Sequence, residues 1–318
     1  NRSQEKIMSE YISHPRTLQF ELTSMCNALC LGCPRTDTTN FNRAKPSIPK
    51  KSIMSLDTID SIFKSNTAEK ITKVEFCGTI DEPLMHPEFF KILDLIYFHR
   101  PDIKVSIHTN GSLRSEAEWS ELATSLNRFK TYMVWFGIDG LEDTHLLYRQ
   151  YTDFNKIIRN AKAFIGSGGR ASWQYIIFPW NKHQIEEASQ LASNIGFEKF
   201  KTRNDRSRSD EFSFEEIARR KKLNKQQDTK FSNGDNNYLP YDGYEINCIW
   251  QKDKMLFISH DNRLWPCCFF ANERYSTVEK KINLEKRLYE NYGEDFNDLT
   301  KHSMDDILNH RFFKSQLV

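Results

Sequence analysis

Between residue 17 and about residue 203, short β-rich runs alternate with longer stretches whose apolar positions recur at three and four. The runs Thr17 to Thr23, Lys73 to Cys77, Ile103 to Thr109, Tyr132 to Ile138, Ala171 to Phe178 and Phe197 to Thr202 predict six strands. The stretches near 55–65, 87–99, 114–126, 153–165 and 182–194 predict five helices, with Ile92, Leu93, Ile96 and Tyr97 marking one such face. Turn residues sit between these elements at Asn110-Gly111, Gly166 to Gly169 and Gly196, and Asn181 is placed to cap the last of the helices. Strands alternating with helices in this way predict an α/β fold built from parallel βα units.

Residues 204–240 break the pattern. They are polar, with basic residues at Arg206, Arg208 and the run Arg219 to Lys222 just after Arg203, and they read as a linker or insertion whose own acidic residues offset its charge. Beyond them, two strand-like runs around His260-Asp261-Asn262 predict a hairpin, and a helical pattern covers Met304 to Phe313. The expected organisation is a first domain over 1–203, a linker over 204–240 and a small domain over 241–318.

The 318 residues suffice for a large core without disulfide staples. Lys+Arg 45 against Asp+Glu 43 leaves a formal charge of +2, so nothing global draws the chain to nucleic acid or lipid. No window approaches the ~18 apolar residues of a spanning helix, and the start NRSQEKIMSEY lacks a signal peptide's apolar run. We expect a soluble, cytoplasmic protein. Cysteine changes the picture: Cys26, Cys30 and Cys33 lie together, Cys248, Cys267 and Cys268 form a second group, and Cys77 stands apart. Clustered thiols in such a chain suggest metal more than disulfides.

Cys26-x3-Cys30-x2-Cys33 begins just after the first strand, in a loop short enough to gather three sulfurs on one inorganic core. Thiolates are the preferred ligands of iron-sulfur clusters, and a cubane takes four, so three leave one iron open. A buried helical stripe and a zinc site are the alternatives. Gly32, Pro34 and the preceding strand oppose the first, and the lack of a fourth clustered Cys or His opposes the second.

This motif, placed after the first strand of a βα repeat, resembles that of the radical S-adenosylmethionine (SAM) enzymes, and the resemblance covers residues 17–203. It implies a partial (β/α)6 barrel, a [4Fe-4S] cluster whose open iron is chelated by SAM, and a reductant such as flavodoxin or ferredoxin. Cys26, Cys30 and Cys33 match the cluster ligands. The segment Phe76 to Pro83 is similar to the Gly-Gly-Glu-Pro motif that receives the methionyl amino group, which assigns Gly78, Thr79, Asp81 and Glu82 to SAM, with Asp81 in place of a glycine. His108-Thr109-Asn110-Gly111 resembles the ribose motif, and Asp139 and Arg149 fall where relatives serve the methionyl end, a solvated salt bridge being the alternative. Gly32 stands where most members carry an aromatic residue. Cys77 reads as a buried strand thiol or, in an epimerase, as a hydrogen donor, while Trp173, Tyr175 and Phe178 read as core.

Cys248 and Cys267-Cys268 resemble the SPASM or twitch extensions that hold an auxiliary iron-sulfur cluster. Strand alternation would keep Cys267 and Cys268 from reaching one cluster unless the strand ends there, so Cys248 with Cys267 is the expected pair. Three cysteines fall short of four ligands, which leaves an open iron, His260 or His302, or cysteines beyond Val318. Because the chain starts with Asn rather than Met, truncation at the C-terminal side is our expectation. The resemblance implies hydrogen abstraction from a peptide or small molecule with net oxidation or epimerisation. Only 16 residues precede the first strand, from which we expect no separate leader-peptide domain. Two other classes remain: an RNA-modifying radical enzyme using the basic 201–225 segment, and a non-catalytic iron-sulfur scaffold or sensor.

Overall fold

A computed structural model of the chain describes residues 14–37, 40, 42–205, 249–272 and 284–315. The six strands form where the alternating runs place them: Thr17–Phe20 (β1), Lys73–Phe76 (β2), Lys104–Thr109 (β3), Thr131–Gly137 (β4), Ala171–Ile177 (β5) and Lys199–Asn204 (β6). Each pairs in parallel with its neighbour in sequence. The helices between them are Leu56–Phe63 (α1), Phe89–His99 (α2), Glu116–Leu126 (α3), the short His145–Tyr148 (α4), Phe154–Gly166 (α5) and Ile185–Ile195 (α6).

One face of the sheet is apolar and lies under the helices. Leu18, Phe20, Val74, Phe76, Val105, Ile107, Val134 and Phe136 are buried there with Ile92, Leu93 and Ile96 of α2, Trp119 and Leu122 of α3, and Ile157 and Phe164 of α5. Trp173, Tyr175 and Phe178 are fully buried, as expected of core residues. Local chemistry sets the helix starts: Ser115 and Glu118 form a reciprocal capping box on α3, and Asp153 caps α5 through Lys156 N. The cap expected at Asn181 is absent. Its side chain turns back to the sheet, accepting from Phe178 N and donating to the carbonyls of Asp139 and Ile176, because satisfying those buried groups outweighs one helix end.

The chain after residue 248 extends the same sheet. Ile249–Lys252 (α7) leads into Met255–Ser259 (β7), which pairs in parallel with β1, and Arg263–Trp265 (β8) returns antiparallel. The hairpin turn is the expected His260-Asp261-Asn262, with Asn262 at φ 63°, a conformation Asn tolerates. The strand order is β6-β5-β4-β3-β2-β1-β7-β8, with no pairing between β6 and β8, so the barrel is partial and open. Cys268–Asn272 (α8), Leu284–Tyr292 (α9), Met304–Asn309 (α10) and Arg311–Ser315 (α11) complete the described chain. The predicted helix at Met304 to Phe313 is interrupted at His310, whose extended ψ of 148° ends α10. No helix among the described residues is long and apolar enough to cross a membrane.

Candidate active site

Parallel strands all point their C-terminal ends at one rim, where their loops carry polar groups. The loop after β1 holds the three cysteines. Ala28 N donates to Cys26 Sγ at 3.4 Å, Arg35 N donates to Cys33 Sγ at 3.4 Å, and the Cys33 thiol faces the Thr79 carbonyl at 3.6 Å. All three are free thiols. Burial pushes them up: Cys30 to about 12, with Arg149 opposing and Cys33 adding, and Cys26 well above the ordinary thiol value, with Glu82 and Cys30 adding. The three thus lie within electrostatic reach of one another. A cationic core would supply the charge that lets them ionise, releasing protons as it binds. No group of three or more His, Cys, Asp or Glu side chains among the described residues gathers tightly enough to hold a single metal ion. A cubane takes each thiolate on a different iron, so its ligands stand a cluster's width apart, and this donor set suits it better than zinc.

The loop after β2 is stapled to the cysteine loop by carboxylates. Glu21 accepts from Thr79 N at 2.9 Å, Thr79 Oγ1 at 3.1 Å and Ile80 N at 3.1 Å. Asp81 accepts from Leu22 N at 2.8 Å and Thr23 N at 3.4 Å, while its Oδ1 is buried without a hydrogen bond. Burial, then Glu21, pushes the Asp81 carboxyl well up, which favours the acid form. Gly78 is required here because a Cβ would overlap the Asp81 carboxyl. Glu82 turns to β3, accepting from Thr109 Oγ1 and Asn110 N, each at 2.7 Å. Asn110 in turn donates to Asn27 Oδ1 at 2.8 Å and points at Cys26 Sγ at 4.0 Å. Sequence reasoning missed Glu21, Asn27 and Arg35, whose guanidinium donates to the carbonyls of Ser24 and Ile80. A charged residue in a strand covered on one face by helices was the available signal for Glu21.

Asp139 and Arg149 join each other. Arg149 Nε lies 2.6 Å from Asp139 Oδ2, and Asp139 Oδ1 accepts from Ile176 N at 2.6 Å. The pair is buried rather than solvated. Gly137 makes room for it, since a Cβ there would lie 2.5 Å from Arg149 Nη2. His108 points elsewhere: its Nε2 meets Glu75 Oε1 at 3.0 Å and its ring stacks on Trp135 at 5.8 Å, on the concave face of the sheet. Cys77 follows β2, its thiol pushed up by burial, and its carbonyl accepts from Gln19.

In the C-terminal region, β8 ends at Trp265 and α8 begins at Cys268. The alternation expected of Cys267 and Cys268 therefore does not apply, because a strand's period lapses where the strand does. Asn272 of α8 donates to Thr79 Oγ1 at 2.7 Å, which ties this segment to the β2 loop. Cys248 and most of the 204–240 segment lie outside the described residues. His260 is buried, and His302 sits near Asp295 at 3.8 Å on the surface.

The model of the radical SAM superfamily matches residues 20–192, a span running from the end of β1 into α6. The chain belongs to the radical SAM superfamily. Among solved structures, SuiB of Streptococcus suis bound to S-adenosylmethionine aligns at TM-score 0.54 and 16% identity over 92% of this chain and 70% of that one. Native anSMEcpe with bound AdoMet aligns at TM-score 0.57 and 16% identity over 96% and 83%. SuiB bound to the precursor peptide SuiA aligns at TM-score 0.56 and 14% identity over 92% and 68%. No curated protein matches the chain. Membership implies a 4Fe-4S cluster and SAM.

Proposed function

We propose that this radical SAM protein binds a [4Fe-4S] cluster on Cys26, Cys30 and Cys33 and cleaves SAM reductively to act on a peptide substrate with net oxidation or epimerisation. The observation that carries this reading is the convergence of three half-buried free thiols beside Arg149 and the Glu82-clamped β2 loop. When bound, the cluster and SAM supply a 5′-deoxyadenosyl radical able to abstract a substrate hydrogen atom. The chain's own residues bind and orient. The backbone of Gly78 to Asp81 is held open by Glu21 and Asp81 for a methionyl group, and Arg149, fixed through Nε, keeps its Nη atoms for a carboxylate. Asn110, Asn27 and Ser112 bond to one another beside Cys26 and so brace the cysteine loop against the β3 loop. The buried Asp139 holds Arg149 in place without a share for water.

A peptide substrate is supported by the fold shared with SuiB, which has been solved with a precursor peptide. A one-electron reductant such as flavodoxin or ferredoxin is the partner this chemistry requires. Cys267 and Cys268, with Cys248, are the candidates for an auxiliary cluster. The test is anaerobic reconstitution with dithionite and SAM, followed by quantification of 5′-deoxyadenosine. Product well above a Cys30→Ala control is expected, and product equal to that control removes the reading.

A further inference from the structure

Side chains alternate along a strand, and parallel pairing keeps directly opposed residues on one side. Since Phe76, Ile107, Phe136 and Trp173 face the helices, the other face carries Glu75, His108, Trp135, Gln174, Lys201 and Arg203. This concave face lies below the cysteine rim, where an abstracted hydrogen atom would have to be presented.

Its charges do not balance. Glu75 is hydrogen-bonded by His108 Nε2 at 3.0 Å and paired with the Lys73 ammonium at 3.0 Å on its second oxygen. Lys201 rests its ammonium 5.1 Å from the Trp135 ring centre, and the opposite neighbour of that ring is His108. Arg203 is held by Gln174, whose carbonyl, in the amide orientation that satisfies both groups, accepts from Nε and from Nη2 at 3.2 Å. Neither Lys201 nor Arg203 has a carboxylate partner among the described residues. Both Lys201 and Arg203 are exposed on this edge strand, open to an incoming ligand, and Arg203 lies within electrostatic reach of Cys77, which follows β2.

Gln174 uses one edge of the guanidinium and leaves the edge bearing Nη1 and Nη2, two parallel N–H donors that match a carboxylate. The backbone amides of β4 and β5 are spent in the sheet, so this wall lacks the cluster of free N–H groups that phosphate sites use. Resting on the radical reading of the same site, we infer that the barrel takes an acidic peptide, seating an Asp or Glu carboxylate on Arg203 and Lys201 with Trp135 as the platform beneath it.

The reconstituted holoenzyme with SAM, immobilised anaerobically, is offered a random octapeptide library that includes phosphoserine, and the retained pool is sequenced. Asp and Glu are expected to be enriched about tenfold over Asn and Gln, the scale of one charge-assisted pair. The enrichment is expected to vanish with K201Q/R203Q and to persist with the charge-preserving K201R, which keeps the Arg203 fork and controls for folding. A pool without acidic preference, a pool preferring phosphoserine, or a preference that survives K201Q/R203Q overturns the inference. Deoxyadenosine measured on the same wild-type preparation keeps the two claims apart: product without acidic enrichment removes the inference alone, and enrichment without product removes the radical reading alone.

Discussion

At the scale of single residues, the side chains that matter most are polar groups held where water is scarce. Glu75 is an example. Burial raises its carboxyl, but the hydrogen bond from His108 and the charge of Lys73 more than reverse this and leave it at about 2 against an ordinary 4.5. The folded state therefore binds fewer protons than the unfolded chain between those values, so stability rises with pH across that window. Its contribution is complete above pH 4.5 and is lost as pH falls toward 2, on the order of 3 kcal/mol in all. In chemical unfolding from pH 7 down to pH 3, the wild-type midpoint is expected to fall more steeply than that of Glu75→Gln; parallel profiles would reject the assignment. The motif residues Cys26, Cys30, Cys33, Gly78 and Glu82 were legible because their spacing survives in the sequence. Glu21 was not, because a hydrogen-bond partner 58 positions away leaves no local pattern, and the Asp139–Arg149 pairing was not, because no spacing shows that two side chains 10 positions apart turn toward each other.

At the scale of elements, the order of strands and helices followed from periodicity, and mismatches occurred where a polar group had a better partner elsewhere. Asn181 abandons the helix end for Asp139 and Ile176, and α10 stops at His310 although the apolar pattern continues. Elements far apart in sequence are joined by single capping residues. Asp305 at the start of α10 accepts from Asn66 N at 2.8 Å and Thr67 N at 2.9 Å, and also from the Thr67 hydroxyl. Asp305→Ala leaves those donors without their acceptor, and we expect a loss of about 1–2 kcal/mol in denaturant titration. Because α10 lies away from the cysteine rim, deoxyadenosine formation per folded molecule should persist.

At the scale of the molecule, β7 pairs with β1 although more than 230 residues separate Thr17 from Met255. The C-terminal segment is thereby part of the barrel's own sheet, and α8 reaches the β2 loop through Asn272. This position makes Cys267 and Cys268 candidates for a second cluster near the first. Iron analysis of the reconstituted protein is expected to give about eight irons per chain, falling to about four with C267A/C268A; about four in both would assign those thiols to packing alone. Chelation of the iron should leave the fold, whose core is built from the apolar sheet face and the helices rather than from the cysteine loop.

The sequence by itself determined the six βα strands, the helices between them, the three-thiol loop and the hairpin, because backbone sterics, side-chain alternation and ligand spacing act over a few residues. Tertiary structure alone decided that β7 joins β1, that Arg149 is fixed on Asp139, that Asp81 staples one loop to another, and that the concave face gathers Trp135, Lys201 and Arg203. Those outcomes depend on which distant groups meet when the apolar face is buried, and each buried polar atom then takes the partner that packing leaves within reach.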